Sequence, residues 1–585
     1  MIKSIGMIKT KSLPLRKISI GLVLLISFYH SGFSQNIKGE EILGRPSDKS
    51  MTVQMFFDDS IEIKIQYGLV SGIYDRETNS QLFPPGSSAE LVISNLQANT
   101  QYYYRVQYRY PNQGNFQSRP EHQFQTQRNK GNGYTFIVQA DPHLDVQSDT
   151  ALYQLCLKNQ LDDHPDFMID LGDFVMTDKL KNKSNIITRD TITYRCELLR
   201  SYYEKLCHSV PLFIALGNHE GESGWNLNGT SNNIGVWGTL DRKKYFINPY
   251  PDSFYTGDTI VHNYVGLREN YYAWNWGDAL FIVLDPYWYT KPKPDSLNGW
   301  RWTLGETQYK WLESTLEQSK SKFKFVFSHQ LIGGDPDGRG GVEFANLYEW
   351  GGYNLDGTYG FNQNRPGWSK PIKELLKEHK VNIFFHGHDH FFGKQELECL
   401  VYQETPQPSH PNFSNVNYAS TYGYKSGIIL PQSGHLRVHV DSNGVKVEYV
   451  RAYLPKNETA TRKNKDISAT YFIGSINCYD SLSTGIPVLW NSNYMDELVY
   501  PNPFTESTKI EFTIKEPEII ELGIYNENAQ LVRKLIVGNE VGSGTYNVIW
   551  DGKDFSGNDQ QDGIYVFHLN GSITGHKSGK IILKR

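Results

Sequence analysis

The sequence predicts a layered α/β domain held between two small all-β sandwiches. Three changes of pattern along its 585 residues carry that prediction. Residues 38–127 alternate polar and apolar side chains, as in Glu62-Ile63-Lys64-Ile65-Gln66-Tyr67 and again from Tyr102 to Tyr108, with turn residues between the runs. From 133 to 452, short apolar runs alternate with helical stretches, the rhythm of buried strands covered by helices. From 496 to 585 the alternation returns.

The first 34 residues stand outside this scheme. Lys9, Lys11, Arg16 and Lys17 precede an apolar run from Ile18 to Tyr29, and Ser31-Gly32-Phe33-Ser34 supplies small residues for cleavage. That is the build of a secretory signal over residues 1–34. The run is shorter than the roughly 20 residues of a spanning helix, and no later segment is apolar enough, so no transmembrane segment is expected once the signal is removed. After export a disulfide is permitted. Of Cys156, Cys196, Cys207, Cys399 and Cys478, the pair Cys196 with Cys207 is one option, and the odd count leaves at least one further thiol.

Within the α/β region the strand candidates are Tyr134 to Ala140, Phe167 to Asp170, Leu212 to Leu216, Ala279 to Asp285, Phe323 to Ser328 and Ile383 to Phe385. Leu198 to His208, Glu306 to Lys320 and Lys370 to Lys380 are the helix candidates between them, and His435 to Val440 and Val445 to Ala452 return as strands. Residues 453–495 are polar and irregular and read as a linker with some local structure. The final unit has strands at Thr508 to Ile514 and Ile519 to Tyr525. A net charge of −5, from 58 basic and 63 acidic residues without a basic stripe, argues against bulk nucleic-acid binding.

Five clusters in the middle domain each follow an apolar run: Asp141-Pro142-His143, Asp170-Leu171-Gly172-Asp173, Gly217-Asn218-His219-Glu220, His329-Gln330, and His386-Gly387-His388-Asp389-His390. In an open α/β sheet, ligands bind at the carboxyl ends of the strands, so these segments can meet in one crevice. Carboxylates, imidazoles and an amide oxygen suit a pair of hard-to-borderline cations, and the lack of a cysteine ligand argues against a structural zinc site. Singly, each cluster is an ordinary turn or core pattern. Spacing alone does not choose two of His386, His388 and His390, which would share one strand face.

The order D-x-H, G-D, G-N-H-E, a lone H and G-H-x-H resembles the calcineurin-like metallophosphoesterase superfamily over about residues 133–452. The resemblance implies a four-layer α/β/β/α sandwich binding two divalent or trivalent ions (zinc, manganese or iron). Asp141, His143 and His390 would hold the first ion, Asn218, His329 and His388 the second, and Asp173 both. His219 would protonate the leaving oxygen, and a metal-bound hydroxide would attack the ester. The family pattern selects Asp173 over Asp170, which would serve as an acceptor orienting a ligand, and it selects the two histidines after Gly387. A β-sandwich ahead of such a domain is also similar to purple acid phosphatases. Those use a tyrosine where Met176 stands and lack the histidine at His143, so only the domain order is shared. Arg339, in the loop between Gly333-Gly334 and Gly340-Gly341, is the candidate phosphate fork, with Glu220 and His435 as further supporting candidates.

The stretch Leu96 to Val106 is similar to the penultimate strand of a fibronectin type III domain. The opening Tyr500-Pro501-Asn502-Pro503-Phe504, the turn Trp550-Asp551-Gly552, the strand Asp562-Gly563-Ile564-Tyr565 and the basic end resemble an immunoglobulin-like type IX secretion sorting domain. Together these imply a secreted phosphomonoesterase, extracellular or on the outer surface of a Gram-negative bacterium, with a small phosphate ester as substrate and the type IX machinery as partner. A phosphodiesterase or nucleotide hydrolase with the same site is the alternative within this chemistry; a surface binding protein with structural metals is the alternative outside it.

Overall fold

The computed structural model describes residues 37–111, 114–181, 186–295, 298–334, 337–474, 497–514, 517–527, 530–571 and 575–585. The signal segment and Cys478 lie outside the described residues.

Two sheets form the centre of the molecule. One has six strands in the order 212–214, 167–170, 134–139, 434–440, 444–451 and 467–474. Its first three strands run parallel, and 434–440 turns back antiparallel beside 134–139. The other has eight strands, with 279–283, 323–327, 383–386 and 400–404 parallel at its middle. Parallel strands need both faces covered, which is why these segments are unbroken apolar runs.

The inner faces meet in an aromatic core. Phe136 and Phe167 from the first sheet pack on Phe281, Phe325 and Trp274 from the second, and Phe213 stacks on Trp274 at 4.1 Å. On the outer face of the six-stranded sheet lie α1 (Thr150–Leu161) and α2 (Arg189–Cys207). Asp149 starts α1 by accepting the N–H groups of Ala151 and Leu152. Beyond α2 comes α3 (Ile234–Tyr245), and α4 (Glu306–Gln318) with the helix Ile372–Glu378 covers the eight-stranded sheet. The layers are therefore α/β/β/α, as expected.

The N-terminal sandwich packs the strands 37–44, 51–57 and 88–93 against a second sheet, around Ile63, Ile65, Tyr102 and Phe124. It docks on α2. Arg200 donates from Nη1 to Gln54 Oε1 at 2.7 Å and from Nη2 to the Gln54 carbonyl at 2.9 Å, while Phe56 stacks on Tyr245. The C-terminal sandwich pairs 497–500, 508–514 and 544–550 in one sheet and 531–541, 518–526, 563–571 and 575–583 in the other, around Trp550 and Phe567.

Two expectations are corrected. Residues 467–474, placed in the linker, form the edge strand of the six-stranded sheet, burying Ala469, Tyr471 and Ile473 on alternate positions. Their side chains alternate as a half-buried strand does, a signal too short to stand out in a polar segment. Cys196 and Cys207 are both free thiols on α2, as is Cys156 on α1, and Cys399 is disulfide-bonded. Eleven residues along a helix separate Cys196 and Cys207 by about 16 Å, far beyond disulfide reach.

Candidate metal centre

The five clusters converge at the carboxyl ends of strands from both sheets. Asp141 and His143 follow 134–139, Asp173 follows 167–170, and Asn218 and His219 follow 212–214. His329 follows 323–327, and His388 and His390 follow 383–386. Two groups of donor atoms result, Asp141 with His143 and His390, and Asp173 with His329 and His388.

Within the first group, Asp141 Oδ1 lies 3.5 Å from His143 Nε2 and 3.3 Å from His390 Nε2. Within the second, His329 Nε2 lies 3.2 Å from Asp173 Oδ2, 3.2 Å from His388 Nδ1 and 3.1 Å from Asn218 Oδ1. Asp173 Oδ2 is also 3.8 Å from His143 Nε2, so it faces both groups. His219 Nε2 stands 3.9 Å from the same oxygen, and its backbone N–H donates to Asp173 Oδ1 at 2.8 Å.

A buried polar atom without a hydrogen-bond partner carries a penalty of about 1–3 kcal/mol. Three such atoms are concentrated here: Asp141 Oδ1, His143 Nε2 and Asp173 Oδ2. Each is aimed at the space between the two groups. Remaining donors and acceptors are occupied in a way that leaves the converging atoms open. His329 Nδ1 donates to the Leu171 carbonyl at 2.9 Å, His388 Nε2 to the Asp337 carbonyl at 3.2 Å, and Asp141 Oδ2 accepts the His388 N–H at 2.9 Å. That fixes which ring nitrogen His329 and His388 present. Carboxylates, imidazoles and an amide oxygen with open lone pairs fit a pair of cations.

The backbone is strained at the same places. Asp141, His143, Asp173, His388 and His390 all have φ between 49° and 78°, the left-handed region, at a cost on the order of 1–3 kcal/mol each. Gly172 and Gly217 let the strained loops touch. A Cβ on Gly217 would lie 2.3 Å from the Asp173 nitrogen, and one on Gly172 2.3 Å from the Gly217 nitrogen.

Buried acidic and basic side chains hold these loops. Glu220 accepts from the N–H groups of Asp173, Phe174 and Val175 at 2.8–3.1 Å and from that of Gly217. Glu404 accepts from the N–H groups of Asp389 at 3.0 Å and His390 at 3.1 Å, and its other oxygen lies 2.7 Å from His386 Nδ1. His386 is thereby turned to Glu404 and stands in neither donor group. Arg195, in mid-α2, donates to four backbone carbonyls of the Asp141 and Asp173 loops.

Titration behaviour follows from crowding. Burial disfavours a charged imidazole, yet Asp141 and Asp145 raise His143 to about 10, and Asp173 and Asp141 raise His329 to about 9. Burial also works against ionised Asp141, but His390 and His329 hold it well below the usual carboxylate range. His388 is held well below an ordinary imidazole by burial, then by Arg339 and His329.

Other expected residues are placed as follows. Asp170 touches no ligand side chain: it accepts from Gln139 at 2.6 Å, Tyr203 at 2.8 Å and the Gly172 N–H at 2.9 Å, and so supports the turn. Arg339 Nη1 donates to Asp389 Oδ1 at 3.0 Å and to the His388 carbonyl at 2.6 Å, with its guanidinium over the Tyr422 ring. Asp389 also receives the Gly340 N–H and the Tyr424 hydroxyl, which docks the glycine-rich loop on the G-H-D-H turn. His435 lies elsewhere, paired with Asp163. Arg195 and Glu404 sit in no recognisable pattern and were missed; Glu220 was legible as the last residue of G-N-H-E.

Comparison with known proteins gives the domain's family and its neighbours in fold. The family model for calcineurin-like phosphoesterases matches residues 134–392. That stretch is a calcineurin-like phosphoesterase domain. It makes the protein a metal-dependent phosphoester hydrolase. The model for the FlgD Ig-like domain matches residues 502–575. Among solved structures, PhoD is similar in fold at a TM-score of 0.54 and 14% identity, covering 76% of this chain and 93% of that one. Purple acid phosphatase PPD1 from yellow lupin (Lupinus luteus) is similar at 0.50 and 14%, covering 74% of each. No curated protein matches the chain.

Proposed function

We propose that this phosphoesterase domain hydrolyses phosphate monoesters at a binuclear centre, with Asp141, His143 and His390 holding one ion, Asn218, His329 and His388 the other, and Asp173 shared. The observation that carries the reading is the set of three buried, unpartnered atoms aimed between two donor groups, with Asp173 Oδ2 facing both. Zinc, manganese or iron suits that donor set. When bound, such a pair supplies Lewis acidity toward the phosphoryl oxygens and a water of lowered pKa. The chain's own part is positioning. Asp173 Oδ1 fixes the His219 backbone, which stands the imidazole over the centre and part-exposed, where it donates a proton to the leaving oxygen.

The test is a hydrolysis panel on metal-depleted and metal-restored protein with p-nitrophenyl phosphate, its bis ester and nucleotides. His219→Ala should lose about 10²–10⁴-fold in rate while keeping both ions; Asn218→Ala should lose metal as well. Protein carrying two ions that cleaves no ester in the panel would sink the proposal, and preference for the bis ester would move it to diesters.

We also propose export and surface delivery, supported by the signal-type segment 1–34 and by the immunoglobulin-like C-terminal unit with its Tyr500 to Phe504 opening. Removing residues from Asn502 onward should trap the protein in the periplasm; unchanged release into the medium refutes the sorting role.

A further inference from the structure

We infer that Arg195 is a positioning residue for the first ion-binding group, acting through the backbone of His143. This rests on the binuclear reading above.

Arg195 sits in the middle of α2 and is buried. Its Nε donates to the Val175 carbonyl at 2.9 Å and its Nη1 to the Leu144 carbonyl at 3.0 Å. Its Nη2 donates to the carbonyls of His143 and, at 3.2 Å, Phe174. Among the described residues no carboxylate lies within ion-pair distance of it. A buried guanidinium normally takes a carboxylate, because an unpaired interior charge is costly. Its hydrogen-bond partners are peptide carbonyls, with Asp145 and Glu220 acting on it only from a distance, and all four carbonyls belong to the two loops that carry Asp141, His143 and Asp173.

The loops need such a donor. His143 has φ of 49° and Leu144 of 51°, so consecutive peptides turn out of ladder geometry and present carbonyls that no strand can satisfy. A guanidinium is the one side chain with a planar fork of five N–H groups, able to span both loops at once. Lysine offers a point charge on a flexible stem and cannot reach all four. Glu220 gathers N–H groups from the Asp173 loop but none from the Asp141 loop. Arg195 is thus the side chain that spans the two loops, adding to the backbone bonds from the Asp141 N–H to the Gly172 carbonyl at 3.0 Å and from the His143 N–H to the Asp173 carbonyl at 3.2 Å, and losing it loosens the His143 turn while leaving His329, His388 and Asn218 on their own supports.

The experiment is metal titration of stripped full-length protein with Mn²⁺ alone and with Zn²⁺ alone, read by calorimetry and by bound-metal stoichiometry. Arg195→Met should weaken one of the two ions by about 10–100-fold and spare the other. Arg195→Lys should weaken the same ion, and guanidinium ion added to Arg195→Ala should restore part of the lost affinity. Arg200→Met, on the same helix but facing the N-terminal sandwich, should leave the two-site titration intact and so separates general loosening of α2 from loss of the clamp. Should Arg195→Met not fold, the lysine variant carries the same readout. Two ions bound with wild-type affinity by any folded Arg195 variant overturns the inference. Wild-type protein that takes up no pair of ions instead overturns the binuclear reading.

Discussion

Two clusters of titratable side chains flank the same six-stranded sheet, and they are built from similar parts. One is the candidate metal centre. The other aligns Cys156, His435 and Asp163, with Cys156 Sγ 3.8 Å from His435 Nδ1 and His435 Nε2 2.9 Å from Asp163 Oδ2. By residue type alone, this cysteine cluster has the makings of a nucleophile, base and acid in a row. It differs from the metal centre in three physical respects. Its residues come from α1, the turn after it and the strand 434–440, with no left-handed residue among the three. Its polar atoms are partnered, since Gln160 also donates to the thiol and Arg437 to Asp163. Burial pushes the Cys156 thiol up to about 12, whereas a working nucleophile needs a thiolate near neutral pH. The metal centre has strained backbone and unpartnered atoms. Residue identity alone does not distinguish chemistry from packing, and single buried unpartnered atoms occur elsewhere in the fold; what marks the centre is that its unpartnered atoms converge from strained loops.

The comparison can be broken most decisively at Asp173. Asp173→Asn keeps the shape but removes the charge facing both donor groups, and hydrolysis should fall roughly a thousandfold or more, equivalent to about 4 kcal/mol of barrier. Both ions should weaken, because both groups share that oxygen. If only one ion weakens, Asp173 belongs to a single group and the bridging geometry is wrong.

A smaller effect is expected at the cysteine cluster, and on stability only. Burial lowers His435 below the ordinary imidazole value, outweighing the opposing pull of Asp163. The unfolded chain then binds a proton near pH 6.5 that the folded chain refuses, so this contribution is full above about pH 6.5 and is lost as pH falls. The loss should be seen as a steeper decline in thermal melts of the wild type than of His435→Phe as pH falls below about 6.5. Equal declines would mean that His435 is not held neutral. Loss of hydrolysis in that variant at pH 7.5, with fold retained, would mean the cluster serves the chemistry after all.

Much of the centre was legible because its residues follow short apolar strands and carry their own spacing. Asp141-Pro142-His143 and Gly217-Asn218-His219-Glu220 are local patterns, and locality is what a sequence preserves. The strand 467–474 was hidden because its alternation is brief and lies in a polar stretch. The Cys196 with Cys207 pairing failed because pairing depends on position in space, and both cysteines ride one rigid helix.

By itself the sequence determined the layered class, the strand-end clusters and the donor chemistry, since each follows from periodicity and residue type. Only the tertiary structure decided that His386 turns to Glu404, that Asp173 faces both groups, that Arg339 is docked on Asp389 and that Arg195 clamps the two loops. Those outcomes depend on which side chain reaches which backbone group across segments up to about 250 residues apart. Hydrogen-bond satisfaction in a buried site is a property of the whole fold.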